Sequence, residues 1–484
     1  MPENKHGLTS SRLTLLALGT VVGGSFFLGS AIAIKNAGPS IIISYLLGGA
    51  LVYVILYSLS EMTTSDPTAG SFRNYCENMY GPMAGFVVGW LYWTGLVLAM
   101  SSEAIAVSAF LKKWFPQVSL PALGAVTIIA VTIINLLGVE KLSTLESGLA
   151  VVKLLAIVGF IVLALFLVAG LLPGRSPIGA GELLNEPLFP RGLAGIAGSM
   201  LIVIFTYARF EIIGLASSET INPHKTIPRA ITYTVAGLVG LYTLAIIFLL
   251  PLIPTARLSE EVSPLVAALT RSGLGWAGDV INIVLITAIL STMLAATFGI
   301  ARMLRSLADE GHAPGFLRDK GDIPYRGIIF SGLSMLTALV LGFILPRRIY
   351  LFLVSSGGFA FLFVYLVILA THYKFRKIYG CPDEGKCRVP AYPYTTITSS
   401  IGLLLIILSM PLIPGQGSGL YAGLILVSVY TGIYIIKEPE KARQFFTGIN
   451  LNLSHKNVLT EFSDEIIPED KLNGKEDSGG KNNE

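Results

Sequence analysis

Leu18-Gly19-Thr20-Val21-Val22-Gly23-Gly24-Ser25-Phe26-Phe27-Leu28-Gly29 lies inside the first long apolar run of the chain. It holds four glycines in eleven residues: Gly19, Gly23, Gly24 and Gly29. Each glycine weakens a helix by roughly 1 kcal/mol relative to alanine, so the run predicts a helix interrupted near its middle. A second apolar run contains Phe205-Thr206-Tyr207-Ala208-Arg209-Phe210-Glu211, with two charges inside it. Interrupted apolar segments at matching positions of two halves point to a transporter's central site. Glycines in membrane helices also mark close helix packing, and the first run alone leaves that reading open.

The rest of the chain fits this frame. Of 484 residues, 53% are hydrophobic and 13% charged, and the mean hydropathy is +0.70. That charged share is about half that of a soluble domain, which excludes soluble globular and disordered classes. A membrane helix needs roughly 20 apolar residues. Continuous runs such as Val151 to Leu172 are unlike the alternation of a β-barrel. Twelve spans are predicted, all helical because lipid offers backbone groups no partners. They cover 13–34, 39–61, 83–111, 119–138, 148–172, 192–217, 230–252, 276–304, 327–345, 350–372, 396–413 and 419–436. The fold class is thus an all-α integral membrane protein. A net charge of +4 implies no nucleic-acid partner. Cys76, Cys381 and Cys387 form neither a disulfide framework nor a zinc signature and are read as unpaired cytosolic thiols.

Lys and Arg set the orientation. With the N-terminus inside, the inner loops hold sixteen basic residues, the outer loops nine, and the tail adds seven inside. Both termini are expected in the cytoplasm. The expected organisation is a cytoplasmic N-terminus (1–12), a first repeat of five segments (13–172), a second (192–372), segments 11 and 12 (396–436), and a disordered cytoplasmic tail (437–484). Lys153 and Arg209 fall inside spans.

Several ordered blocks resemble the amino acid permeases of the amino acid–polyamine–organocation superfamily. Segment 1 is similar to G-x-x-I-G-T/S-G-I/L-F. Ser60-Glu61-Met62 with Pro67, Gly70, Ser71 and Phe72 is similar to G-E-M…P-x-x-G-S-F. Ser102-Glu103-Ala104 is similar to A-E-L-T-A, and Phe205 to Glu211 to F-A/S-F/Y-x-G-x-E. Glu219 to Ala230 and Arg302 to Pro314 carry E-x-x-N-P-x-K-x-x-P-R-A and R-M-L-x-x-L-A-x-x-G-x-A-P. The resemblance runs from segment 1 to about residue 330 and more weakly to segment 12. Three departures stand out: Gly24-Ser25 for the family's T/S-G, Arg209 for its segment 6 glycine, and Leu294-Ala295-Ala296 for L-N-S-G in segment 8.

The resemblance implies the leucine-transporter fold, a 5+5 inverted repeat with segments 1 and 6 broken. An amino acid's carboxylate and ammonium must both be paired out of water. Free amides at a helix N-terminus suit the carboxylate. Gly23, Gly24 and Ser25 are expected to supply them, at the start of the inner half of segment 1. The carbonyls of Val22, Phe205 and Thr206 suit the ammonium, and Tyr207 joins the expected site. Phe205 would cap the site from outside, as the family's segment 6 aromatic does; ordinary packing is the alternative. Glu61, Glu219 and Arg229 lie near helix ends and stay outside the core site.

Three charged residues inside spans carry the remaining expectations. Lys153 either snorkels to the interface or, as the resemblance implies, stands where sodium-coupled relatives hold an ion. Its partners would then be the Gly19 carbonyl and Ser291 or Thr292. Glu103 pairs within the pocket and influences which side chain is accepted. Arg209 pairs with Glu103, faces a watery vestibule, or reads an anionic substrate.

The expected function is secondary active uptake of amino acids across the plasma membrane by alternating access, as a proton-coupled symporter. An exchanger, or a sensor on a transporter scaffold, is the alternative. No G-x-x-x-x-G-K-S/T, H-E-x-x-H or intramembrane aspartate pair occurs, so neither ATP-driven transport nor catalysis is expected. The expected partners are an amino acid, a coupling proton and the bilayer, with no cofactor, metal or obligate protein partner.

Overall fold

A computed structural model describes residues 7–65, 71–112, 114–174, 176–216, 220–259, 262–319, 321, 323–345, 347–381, 389–413 and 417–447. The chain divides into two compact units, Met1–Gly432 and Ile433–Glu484. Among the described residues there are helices and no strand, apart from an isolated parallel bridge between Leu8 and Thr220.

All twelve expected segments are helical. Segment 1 is split into Ser10–Val21 and Ser30–Ala37, joined through a π-helical turn at Ser25–Gly29. Segments 2 to 5 are Ile41–Ser65, Pro82–Leu111, Leu120–Asn135 and Val139–Ala169. Segment 6 is Gly192–Tyr207 followed by the short Ile212–Leu215. Segments 7 to 12 are Pro223–Leu249, Gly275–Asp309, Tyr325–Ile344, Arg347–Tyr379, Tyr394–Ser409 and Gly417–Lys437. Among the described residues, ten helical stretches are long and apolar enough to cross a membrane, with Ser25–Ser65 counted as one; segment 4 is apolar but shorter, at 16 residues.

Segment 5 shows how the pattern builds the core. Its helix starts at Val139 rather than 148, behind Gly138 at φ 89°. The polar residues from Glu140 to Ser147 read as a loop but form two helical turns. Glu146, Ala150, Lys153, Ile157, Phe160 and Ala164 recur every three or four residues and are buried. Val151, Leu155, Val158 and Val162 form the opposite, exposed apolar face. The spacing therefore turns Lys153 inward, and snorkelling is not what its side chain does.

The first half of segment 1 packs on segments 5, 7 and 8, and its second half on segment 6. Segments 1, 2, 6 and 7 share an aromatic cluster. Phe26 and Tyr242 stack at 3.9 Å, with Tyr45 edge-on to both and Tyr207 packed beside Tyr45 and Tyr242.

Two expectations change. Residues Pro439–Thr447 form a helix where a disordered tail was expected, and residues 448–484 lie outside the described ones. Cys381 is disulfide-bonded, not an unpaired thiol. Cys76 is a buried free thiol, which burial pushes up to about 12, so it stays protonated and unreactive.

Candidate substrate and coupling site

Segment 1 breaks where the glycines predict. At Val22 the backbone turns extended (φ −72°, ψ 95°), and its amide bonds the Leu18 carbonyl, ending the first helix. The amides of Phe26 and Phe27 then bond back to Gly23 at 3.1 and 3.3 Å. Gly23, Gly24 and Ser25 thus open a new helix, where amides lack intrahelical acceptors. That helix is the half after the break. For a cytoplasmic N-terminus it is the outer half, which corrects the inner placement expected above. Two of the glycines are there for close approach. A Cβ on Gly19 would stand 2.6 Å from Glu146 Oε1 of segment 5, and one on Gly23 2.5 Å from Thr292 Oγ1 of segment 8.

Segment 6 breaks at Ala208, also extended (φ −58°, ψ 161°). The next residue, Arg209, has φ 79°. This is the left-handed region that glycine occupies freely and other residues at a cost. The family's glycine here therefore has a backbone reason, and Arg209 adopts a glycine conformation. Its amide donates to the Tyr365 hydroxyl at 3.0 Å, which donates to Glu211 Oε2 at 3.0 Å. Tyr92 donates to Glu211 Oε1 at 2.9 Å. Fully buried Glu211 thus ties segment 6 to segments 3 and 10.

The other expected residues of segment 6 separate in role. Phe205 is half-buried and lies over Gly358, where a Cβ would meet its ring at 2.6 Å. Its carbonyl accepts the Ala208 amide at 3.3 Å, leaving one lone pair. The Thr206 hydroxyl bonds the Val203 carbonyl within its own helix. Tyr207 is fully buried, its hydroxyl donates to the Tyr45 carbonyl at 3.2 Å, and its ring packs in the aromatic cluster.

Arg209 and Glu103 come together. Arg209 Nη2 stands 2.6 Å from Glu103 Oε1, with the two side chains 10% and 13% exposed. Arg209 Nε and Glu103 Oε2 are buried and have no partner among the described residues.

Lys153, fully buried, donates to the Gly19 carbonyl. Of its other expected partners, Thr292 bonds its own helix at the Ala288 carbonyl. Ser291 instead donates to Glu146 Oε1 at 2.5 Å, and that oxygen lies 3.9 Å from Lys153 Nζ. Glu146 links the two. Sequence reasoning missed it because it fell just before the expected span. The signal was its spacing of seven residues, two helical turns, from Lys153.

Two broken helices abut, amides and carbonyls open at their breaks, and a buried lysine bonds the first break's helix. The family model described as "Amino acid permease" matches residues 12–450. The chain belongs to the amino acid permease family. It is similar to a "Gamma-aminobutyric acid permease" of Bacillus subtilis, 31% identical over 437 residues, covering 89% of this chain and 92% of that one. An "Aromatic amino acid transport protein AroP" of Escherichia coli is 30% identical over 441 residues, covering 90% and 96%. An "Amino-acid permease RocC" of Bacillus subtilis is 29% identical over 440 residues, covering 88% and 93%. This permease is accordingly a multi-pass plasma-membrane protein that transports amino acids, and not an enzyme.

Two charge clusters of the permease lie away from the breaks. Glu61 accepts from His372 at 2.7 Å, from Arg376 at 2.8 and 3.1 Å, and from the Val389 amide at 2.9 Å, joining segments 2 and 10. Glu219 lies outside the described residues. In the second cluster, Glu77, Glu310 and His312 bring ligand atoms within 4.8 Å of one another. Fully buried Arg73 already bonds both carboxylates at 2.5 Å, and His312 Nε2 is 3.1 Å from Glu77. A guanidinium between the acids opposes a metal cation, so the cluster is an ion-pair network. Burial pushes Glu77 up, but the His312 contact and the Arg73 charge outweigh it and hold Glu77 below the usual carboxylate range.

Proposed function

We propose that this permease takes up amino acids by alternating access as a proton-coupled symporter, with the substrate held between the breaks of segments 1 and 6. The observation that carries the reading is Lys153: fully buried, bonded to the Gly19 carbonyl in the helix that ends at the first break, and 3.9 Å from Glu146. A buried amine bonded to a bare carbonyl is a proton site whose occupancy alters the helix it grips.

The substrate carboxylate goes to the amides of Gly23, Gly24 and Ser25, and the ammonium to the carbonyls of Val22, Phe205 and Thr206. Phe205 covers them. The two repeats, 13–172 and 192–372, rock against each other around this point. The matched extended residues Val22 and Ala208 support that pairing. The basic-residue bias supports cytoplasmic termini.

Uptake of labelled amino acids into proteoliposomes tests this. Accumulation is expected with an inward proton gradient and no sodium, and Lys153→Ala is expected to lose it. A strict sodium requirement, or flux only against internal amino acid, would replace symport with the corresponding alternative.

A further inference from the structure

We infer that the Arg209–Glu103 pair reads the substrate's side chain, and that it takes a neutral side chain bearing both a donor and an acceptor, a carboxamide above all. This rests on the proposal that the two breaks hold an amino acid.

Position supports the role. Arg209 directly follows the break residue Ala208 of segment 6, and Glu103 of segment 3 bonds it, so the pair stands beside an amino acid held at the breaks. Both side chains keep 10–13% exposure although they lie in the interior of their segments.

Charge restricts what fits. At 2.6 Å the two charges neutralise each other. A cationic side chain competes with Arg209 for Glu103, and an anionic one competes with Glu103 for Arg209. Either must strand one charge of the pair in a low-dielectric site. Arg209 in effect supplies internally the cation that a bare Glu103 would draw from a substrate.

Hydrogen bonding narrows the choice further. The contact joins one nitrogen to one oxygen. It leaves a donor, Arg209 Nε–H, and an acceptor, Glu103 Oε2, both buried and unpartnered among the described residues. A carboxamide offers the complement: its oxygen accepts from Nε–H and its NH2 donates to Oε2. An apolar side chain of equal length leaves both unmet. Sites with buried polar groups reject ligands that cannot pair with them far more strongly than they reject a missing methylene.

Equilibrium binding to the purified full-length permease decides this, with glutamine against methionine, lysine and glutamate. Glutamine is expected to bind about 10-fold or more tightly than methionine, with lysine and glutamate weaker still. Arg209→Gly frees Glu103 and is expected to shift the preference from glutamine toward lysine. A glutamine advantage below about threefold, or tighter binding of lysine or glutamate, overturns the inference while leaving amino acid binding intact. An unchanged glutamine-to-lysine ratio in Arg209→Gly does the same. Should that variant not fold, the panel on the unaltered protein still decides. If none of the twenty amino acids binds, the substrate site itself is misplaced and the inference falls with it.

Discussion

Arg209 Nη2 meets Glu103 Oε1 at 2.6 Å from a backbone held at φ 79°. A side chain in the left-handed region costs roughly 1–2 kcal/mol. The arginine therefore stands at a position whose backbone prefers glycine, and its side chain makes the ion pair across to segment 3.

The pair makes a reciprocal prediction. Arg209→Gly relaxes the backbone but strands a carboxylate, and Glu103→Gln strands a guanidinium. Each single variant is expected to lower unfolding stability by about 3 kcal/mol. The double variant is expected to recover at least about 1 kcal/mol of the summed loss. Thermal or denaturant unfolding in detergent measures all four corners of the cycle. Strictly additive losses would rule out the coupling.

Position and type of break were legible in the sequence, for physical reasons. Glycine clustering announced the interruption at Val22, and charges in an apolar run announced the one at Ala208. Lys153 was legible because a charge in a span must find a partner. Glu146 was not: it lies among the polar residues 140–147, and its spacing of two turns from Lys153 counts only once the helix is known to start behind Gly138. The packing of Tyr207 was not legible, because its aromatic partners come from segments 2 and 7 and are distant in sequence. Arg73 with Glu310 and Glu61 with His372 are pairings over long separations that no local pattern encodes.

Gly19 tests the close approach of segments 1 and 5. An alanine there pushes its methyl to 2.6 Å from Glu146 Oε1, an atom held by Ser291 at 2.5 Å and so unable to swing away freely. Gly19→Ala is expected to destabilise by about 1–3 kcal/mol through overpacking and to impair proton-driven uptake. Gly240→Ala in segment 7 is the contrast, because nothing lies within 4 Å of its added Cβ. That variant is expected to be neutral or up to about 1 kcal/mol more stable. Equal effects of the two substitutions on melting temperature would contradict the packing argument.

Glu77 gives a pH dependence with a definite sign. Its folded-state value lies below the ordinary 4.5, so its stabilisation is complete above about pH 4.5 and is lost as pH falls through the lower folded value. Glu77→Gln is expected to cost about 1–3 kcal/mol at pH 7, where a charge-assisted bond to Arg73 is lost. The gap between the variant and the unaltered protein is expected to narrow below pH 4.5. Melting temperatures at pH 7, 5 and 4 test it, and a gap that widens on acidification would reverse the assignment.

Lys153 and Glu146 allow structure and coupling to be separated. Both are fully buried, and the lysine also grips the Gly19 carbonyl, so it has a partner that Glu146 does not share. Removing one charge leaves the other uncompensated, which costs about 3–5 kcal/mol for a buried pair. Lys153→Gln and Glu146→Gln are each expected to lower the melting temperature, and the double variant to regain most of the loss. Stability returns because no lone charge remains. Proton-driven accumulation does not return, because the titrating amine is gone. Exchange of external for internal amino acid needs no proton and is expected to persist in the double variant, since neither residue lies among the groups that face the substrate. Thermal unfolding, gradient-driven uptake and exchange, all measured on the double variant, give three independent readings. Recovery of stability together with proton-driven uptake would show that the pair holds segments 1, 5 and 8 together and does not couple transport to protons.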